Sequence, residues 1–456
     1  MRSTAHAAIL VVITLCALGA AERRASAGGF TIVEMGTRKN GMGAVIGRPD
    51  DPSAVYHNPA GLTMQDGIRL YASVGLAFID TDFRLRQWGN SSNYIKYPVD
   101  SEGFYPGISP AGFGAIPMLV LSSNIYKDKL YGALSFYVPN AIGIVVDDGP
   151  ARYHAGTSYL IAGFATASLA WRVTNWLSVG AGFSLAYVRI SAKRKLYPEL
   201  AGTNLSGLLG GESDIDLVGE DVRPGANAGI LLRPFRSLTI GIAMISRIDM
   251  NLTGDVDVIL GPGAPTKPGT KLSGTQATAL LIPWSFHFGA NWDVTKYVEI
   301  GAELRYYTYS SLKEQRSKID GINLISELVV PKDYSDSYQV SGGVLVKLPP
   351  HPQLELMAGV HWDKSPAPNR TISLDQPTFD HLGLHTGVRY RWGRYRFGMT
   401  FAHYWYFRRD VTDNVTDPPS NFIASGVNNQ LTLIFEVRFG AATQRNAAPG
   451  RVALFN

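Results

Sequence analysis

From Ile68 onward, apolar and polar residues alternate with a period of two, in long runs broken by turn-forming residues. The clearest run spans Trp176 to Val188. Leu177, Val179, Ala181, Phe183, Leu185 and Tyr187 fall on one face, and Ser178, Gly180, Gly182, Ser184 and Ala186 on the other. The last run is sharper: Leu431, Leu433, Phe435, Val437 and Phe439 oppose Gln430, Thr432, Glu436 and Arg438. The pattern predicts strands with one apolar face. It suits a soluble sandwich, with that face buried, and a membrane barrel, with that face in lipid. Strand length and number separate the two.

Turn residues divide this region into about fourteen strands. They are predicted near 68–83, 115–127, 129–146, 158–173, 175–192, 215–233, 235–257, 274–293, 296–317, 336–348, 352–364, 381–393, 394–408 and 428–439. Alternate connections are very short, as at Lys127-Asp128-Lys129, Thr174-Asn175, Pro234, Val294-Thr295, Pro349-Pro350-His351 and Trp392-Gly393-Arg394. The others are long, as at 84–114, 193–214 and 318–335. Short turns at one rim and long loops at the other mark an outer-membrane barrel, and an even strand number leaves both termini on the periplasmic side. The expected fold class is all-β, a transmembrane antiparallel barrel.

Composition narrows this further. The 456 residues would suit one large barrel or two to three soluble domains, and 17% charged residues is low for a soluble chain. The net charge of +5 is spread thinly, so no nucleic-acid partner is expected. Residues 1–27 read as a signal peptide: Arg2, the apolar run Ala7 to Ala21, and an Ala25-Ser26-Ala27 cleavage site. Cys16, the only cysteine, lies within it, which leaves the mature chain without disulfides or thiol chemistry. No later run approaches the roughly 18 apolar residues of a membrane helix. An exported, strand-rich chain then has a closed barrel as its membrane solution.

Three features carry candidate function. First, Asp51-Pro52 and Asn58-Pro59 each pair a capping residue with a proline at the first helical position, which predicts two short helical turns too small to stand alone. Second, the third strand contains Val138-Pro139-Asn140-Ala141-Ile142-Gly143. An interior proline breaks the ladder, so a kink is expected from Val138 to Gly143. Third, inward faces of the second half are rich in charge. Glu299, Glu303 and Arg305 share a face, as do Glu355, His361 and Asp363, and Arg389 with Arg391. Mixed signs predict internal salt bridges within a plugged barrel. Ile300, Leu304, Leu354, Leu356, Val360 and Val388 are the expected lipid-facing positions. Aromatic girdles are expected at Trp171 and Trp176, Trp284 and Trp292, Tyr306-Tyr307-Tyr309, and Trp405-Tyr406-Phe407.

Gly29-Phe30, then Asp51 to Tyr56 and Asn58-Pro59-Ala60-Gly61-Leu62, resemble the hatch of the FadL/TodX (OMPP1) outer-membrane transport family. The resemblance continues through Tyr153 to Ser158, Leu177 to Gly182, Ile282-Pro283-Trp284, Pro331 to Ser337, Asp363 to Pro368 and Pro377 to Tyr390. Members often have Asp-Arg where this chain has Asp380-His381, and a tail follows Phe439 where members commonly end on an aromatic. The resemblance implies a signal peptide (1–27), a hatch (28–67), a barrel (68–439) and a periplasmic tail (440–456). It implies passive uptake of hydrophobic molecules, long-chain fatty acids first and aromatic hydrocarbons second. Cargo would dock on the long loops, where Leu200, Leu205, Leu208 and Leu209 form a greasy capture segment. It would bind above a hatch held at Gly29, Phe30, Asn58, Pro59, Ala60 and Gly61, and leave sideways at Val138, Pro139, Asn140 and Gly143. Strand parity offers Arg247, Arg305 and Arg389 as partners for a carboxylate. A monomer in outer-membrane lipid, without cofactor or metal, is expected.

The rival readings are an enzyme, an adhesive barrel and a polar porin. No Gly-x-Ser-x-Gly elbow is present, and His381 and His385 sit two pleats apart, too loose for metal ligation. The acidic run Asp410, Asp413 and Asp417 reads as a solvated loop.

Overall fold

The computed structural model describes residues 31–440, except 33, 90, 147, 148, 199–211, 263, 265–267 and 324. The expected signal peptide, Gly29, Phe30, the four leucines expected to form a capture segment, and the tail after Gly440 lie outside the described residues.

Eighteen strand segments form a single antiparallel sheet that closes on itself. They are β1 (Ile68–Leu85), β2 (Ala111–Tyr126), β3 (Leu130–Val146), β4 (Gly156–Arg172), β5 (Leu177–Leu196), β6 (Ser213–Phe235), β7 (Leu238–Ile245), β8 (Ile248–Ile259) and β9 (Lys271–Ile282). The second half has β10 (Ser285–Asp293), β11 (Val298–Tyr307), β12 (Glu314–Asp320), β13 (Glu327–Pro331), β14 (Ser337–Leu348), β15 (His351–Asp363), β16 (His381–Trp392), β17 (Tyr395–Asp410) and β18 (Phe422–Phe439). The pairs β7–β8, β9–β10, β11–β12 and β13–β14 are each one pass broken in two, so the barrel has fourteen passes. Closure is continuous: β1 pairs with β18 from Ile68↔Phe439 to Leu85↔Phe422.

The alternation in the sequence becomes a lipid face and a lumen face. Leu134, Leu169, Phe183, Leu185, Ile300, Leu356, Val360 and Leu433 are exposed on the outer wall. Trp171, Trp176, Trp292 and Trp392 are exposed beside the short turns, and Trp284, Tyr306, Trp405 and Phe407 mark the other edge of the apolar band. Tyr307, Tyr309 and Tyr406 depart from the expected girdle. The pleat turns them into the lumen, where they are buried. Arg391 likewise departs from the face it was expected to share with Arg389: Arg389 is buried, while Arg391 lies near the rim turn and is exposed.

Three of the expected single passes are interrupted, at 246–247, 283–284 and 308–313. Pro283 has no donor for a ladder, which accounts for one break; a 3₁₀ turn, Tyr309–Ser311, fills another. The segment Glu327–Pro331, expected in a loop, instead extends a hairpin with β12.

Candidate functional site

The chain before β1 fills the lumen. Its helix Thr37–Met42, which the sequence did not signal, is buried along its whole length. A second helix spans Ala54–His57, and a 3₁₀ turn Pro59–Met64 follows. Asn58 caps that turn with its side chain on the Ala60 N–H, and Pro59 occupies the first position. At Asp51 the carboxylate accepts the Ser53 N–H, so it closes a turn one step ahead of the helix instead of capping it.

Charge anchors the hatch to one side of the barrel. Arg38 bridges Asp50 of the hatch at 2.8 Å and Glu299 of β11 at 2.8 Å. Lys39 Nζ meets Glu303 at 2.7 Å and donates to the Gly43 carbonyl at 2.9 Å. The other Glu303 oxygen accepts the Val45 and Ile46 N–H groups. Asn40 donates to Thr400 and Thr432, both at 2.7 Å. Backbone also lies directly on backbone: a Cβ at Gly241 would sit 1.9 Å from the Ile46 oxygen, and one at Gly359 2.2 Å from that of Met42. These inward positions can hold only glycine. Burial alone would raise the Asp50 carboxyl, but the Arg38 and Arg389 guanidiniums outweigh it and hold it well below the usual carboxylate range. His57 is pushed down to about 3, first by burial and then by Arg305. It is therefore a neutral ring that accepts from Arg305 at Nδ1 and donates to the Met35 carbonyl at Nε2.

On the opposite side the wall is broken. The β2–β3 ladder stops at Met118↔Tyr137, although β2 continues along β1 to Ala111 and β3 continues along β4. In β3, Val138 and Pro139 together face a single residue, Gly163, between the pairs Tyr137↔Phe164 and Asn140↔Ala162. That bulge reverses the pleat. Tyr131, Ala133 and Tyr137 point inward before it; Asn140, Ile142, Ile144 and Val146 do so after it. The first described hatch residues occupy the break. Thr31 pairs with Asn140, the Ile32 N–H donates to the Pro139 oxygen at 2.6 Å, and Asn140 Nδ2 donates to Thr31 Oγ1 at 3.0 Å.

A narrow cavity of about 30 Å³ abuts this stitch, lined by Thr31, Tyr56, Tyr137, Asn140, Phe164 and Tyr307 among others. It has room for about one or two waters. Among the described residues, Tyr307 Oη beside it has no hydrogen-bond partner, and neither does Nη1 of the buried Arg305, two positions earlier on β11.

The sequence-derived candidates thus separate. Pro139 and Asn140 meet the hatch, and Asn58 to Gly61 pack against β5 and β6, where a Cβ at Gly180 would meet Ala60 N at 2.5 Å. Arg305 and Arg389 are buried in the lumen, but Arg389 is fully engaged by Glu355 and Asp50. Arg247 is a correction: it sits at the β7–β8 break, and its guanidinium pairs with Asp249 on the exposed side. The interruption removes the strand parity that would have aimed it inward. Sequence reasoning missed a histidine chain. His385 Nδ1 donates to the Asn40 oxygen, and His361 Nδ1 donates to His385 Nε2 at 2.6 Å. Among the described residues, no group of three or more His, Cys, Asp or Glu side chains could hold a metal.

The model of the outer membrane protein transport family, OMPP1/FadL/TodX, matches residues 18–434. No curated protein sequence matches the chain. Among solved structures, a Pseudomonas aeruginosa FadL homologue superposes with a TM-score of 0.77 at 19% identity, covering 90% of this chain and 100% of its own. The P. putida toluene transporter TodX gives 0.69 at 16% identity, with 91% and 100% covered. The CymD monoaromatic hydrocarbon channel gives 0.65 at 16%, with 90% and 99% covered. At these identities the likeness establishes the fold. The family is one of transport channels and not of enzymes. A closed fourteen-pass barrel, plugged by its own N-terminal segment and matched by the family model over most of its length, belongs to the OMPP1/FadL/TodX family of outer-membrane transport proteins.

Proposed function

We propose that the protein carries hydrophobic molecules passively across the outer membrane, binding them beside the hatch and releasing them sideways between β2 and β3. The observation that carries this reading is the stitch of Thr31 and Ile32 into the bulge at Val138–Pro139, next to a stretch where β2 and β3 do not pair. Unpaired strand edges are costly against lipid, and here hatch backbone supplies the missing partner. Moving the hatch start would uncover the gap and enlarge the cavity in one step. An apolar solute gains more from lipid than from an aqueous pore, so a lateral route suits it.

A long-chain fatty acid is the first reading. Arg305 Nη1 and Tyr307 Oη are donors without acceptors among the described residues, and a carboxylate would supply them. An aromatic hydrocarbon is the second, favoured by the rings of Tyr56, Tyr137, Phe164 and Tyr307 around the cavity. The deciding experiment is uptake of radiolabelled oleate and radiolabelled toluene by cells with and without the protein, beside an Arg305→Met variant. Protein-dependent oleate uptake lost in the variant supports the fatty acid. Uptake of toluene alone, indifferent to Arg305, supports the aromatic. Uptake of neither by assembled barrels would overturn transport and leave an adhesive barrel.

A further inference from the structure

We propose a second lateral portal in the wall, between β6 and the β7–β8 pair, for compact apolar molecules. It rests on the transport reading above.

The β6 ladder runs with β7 up to Asn227↔Ile245 and resumes with β8 at Glu220↔Thr253. Between them Asp221 to Ala226 have no ladder partner on that side. Side chains replace the missing bonds: the Ala226 N–H donates to Ser246 Oγ at 2.9 Å, and the Asn251 N–H to Asp221 Oδ2 at 2.9 Å. One backbone bond remains, from the Ser246 N–H to the Ala226 oxygen at 2.8 Å. Pro224 stands in the middle, paired with Leu185 of β5 on its other side and with no donor to offer. The same signature marks the first gap, where Pro117 lies on β2 beyond the last pair with β3.

Apart from these three bonds, one apolar side chain packs across the seam from the lumen side. A Cβ at Gly225 would meet Ile248 Cδ1 at 2.7 Å, so the glycine makes room for Ile248, which is 3% exposed. A rotamer change there, together with parting of the Ser246–Ala226 bonds, would open space while the β5–β6 and β8–β9 ladders stay paired. The seam also connects to the interior. The cavity that touches Pro139 and Asn140 continues to Asn227, Ile245, Ile248 and Ile282, and it includes Ala226, which is exposed on the outer wall. The two breaks lie at nearly one height: Pro139 is nine positions from the start of β3, and Ser246 eight from the start of β7. Just below the seam, Ile230, Ile242 and Met244 are exposed to lipid. Above it, Arg223 pairs with Asp221 and Arg247 with Asp249. An apolar solute leaving here meets hydrocarbon below and a charged rim above, which disfavours an acid head group and favours small hydrocarbons.

The test is a reversible lock. Cys16, the sole natural cysteine, lies in the predicted export signal, so Ala226→Cys with Ser246→Cys places a lone pair across the seam. Uptake of radiolabelled toluene is measured in vesicles holding the natural barrel, the oxidised and reduced pair, and the pair combined with deletion of Pro139, which leaves Val138 alone opposite Gly163 and removes the bulge. The expected result is a partial loss on oxidation in the natural background and a near-complete loss in the deletion background, both restored by reductant. Equal oxidised and reduced rates in both backgrounds would overturn the portal while leaving transport intact. Natural barrels no faster than protein-free vesicles would overturn the transport reading, and the portal with it. Should the deletion not assemble, Ile248→Ala and Ile248→Trp replace it: the first is expected to speed toluene uptake and the second to slow it, and identical rates would overturn the portal.

Discussion

The two ends of the hatch are held by different physics. The body, from Arg38 to Asp50, is tied to β11 and β16 by buried ion pairs, and the Glu303 carboxylate also accepts two backbone N–H groups. The start, at Thr31 and Ile32, is tied to β3 by a backbone bond and one neutral side-chain bond. Removing one member of a buried pair strands a charge, whereas losing a neutral bond costs little. The leading edge is therefore the weaker of the two attachments. A wholesale exit of the hatch toward the periplasm would have to separate Arg38 and Lys39 from Glu299 and Glu303 together.

The largest expected effect is on the body. Glu303→Gln leaves Lys39 and Arg305 without their shared carboxylate and should destabilise the barrel by about 3–5 kcal/mol. The temperature at which the barrel loses its compact electrophoretic form reads this out, and an unchanged temperature would break the contrast.

Acid should come next. His57 in the folded hatch titrates at about 3, against 6.5 for a free imidazole. The depressed value means that the unfolded chain takes up a proton first. Stability from this group is therefore complete above 6.5 and falls as pH drops toward 3, by up to about 1.4 kcal/mol per pH unit. Hydrogen exchange of residues 34–64 compared at neutral and mildly acidic pH should show the loss in natural protein and a shallower slope in His57→Gln. Asp50 acts only at the acid extreme, since its low folded value preserves its contribution until pH falls below the ordinary carboxylate range.

Asn58→Ala should cost about 1 kcal/mol through the lost cap on the 3₁₀ turn, read by the same exchange experiment. Smallest in stability is Asn140→Ala, about 0.5–1.5 kcal/mol for the bond to Thr31. Its signature is functional: toluene uptake should rise although the melting temperature hardly moves. A fall in uptake would sharpen the comparison differently, making the stitch part of the route and not its latch.

Much of this was legible in the chain. Alternation around Phe183 and Leu433 marked one apolar face because a strand's pleat sends successive side chains to opposite sides, and short turns alternating with long loops marked that face as the lipid one. Pro139 marked the break because proline cannot donate, and Asn58-Pro59 marked a helical turn because both residues act locally. Arg247 was misplaced because parity survives only while a strand is continuous, and Ser246-Arg247 interrupts it. Tyr307 and Tyr406 were assigned to a girdle because aromatic content near a strand end does not reveal which face each ring takes. Nothing local distinguishes Thr37–Met42 from an exposed polar turn.

The chain alone settled the strand class, the rim of short turns with the lipid face it implies, and the break at Pro139, since each follows from the period of the backbone, the turn spacing or one residue's missing donor; the breaks at 246–247, 283–284 and 308–313 did not show in it. Tertiary structure alone decided the rest. It buried Arg38 and Lys39 against Glu299 and Glu303, more than 250 residues away, and it set Tyr307 Oη, with no partner among the described residues, beside a cavity. It also set Gly225 against Ile248. Such contacts depend on which strands closure brings face to face, and closure is a property of the whole barrel that no local pattern encodes.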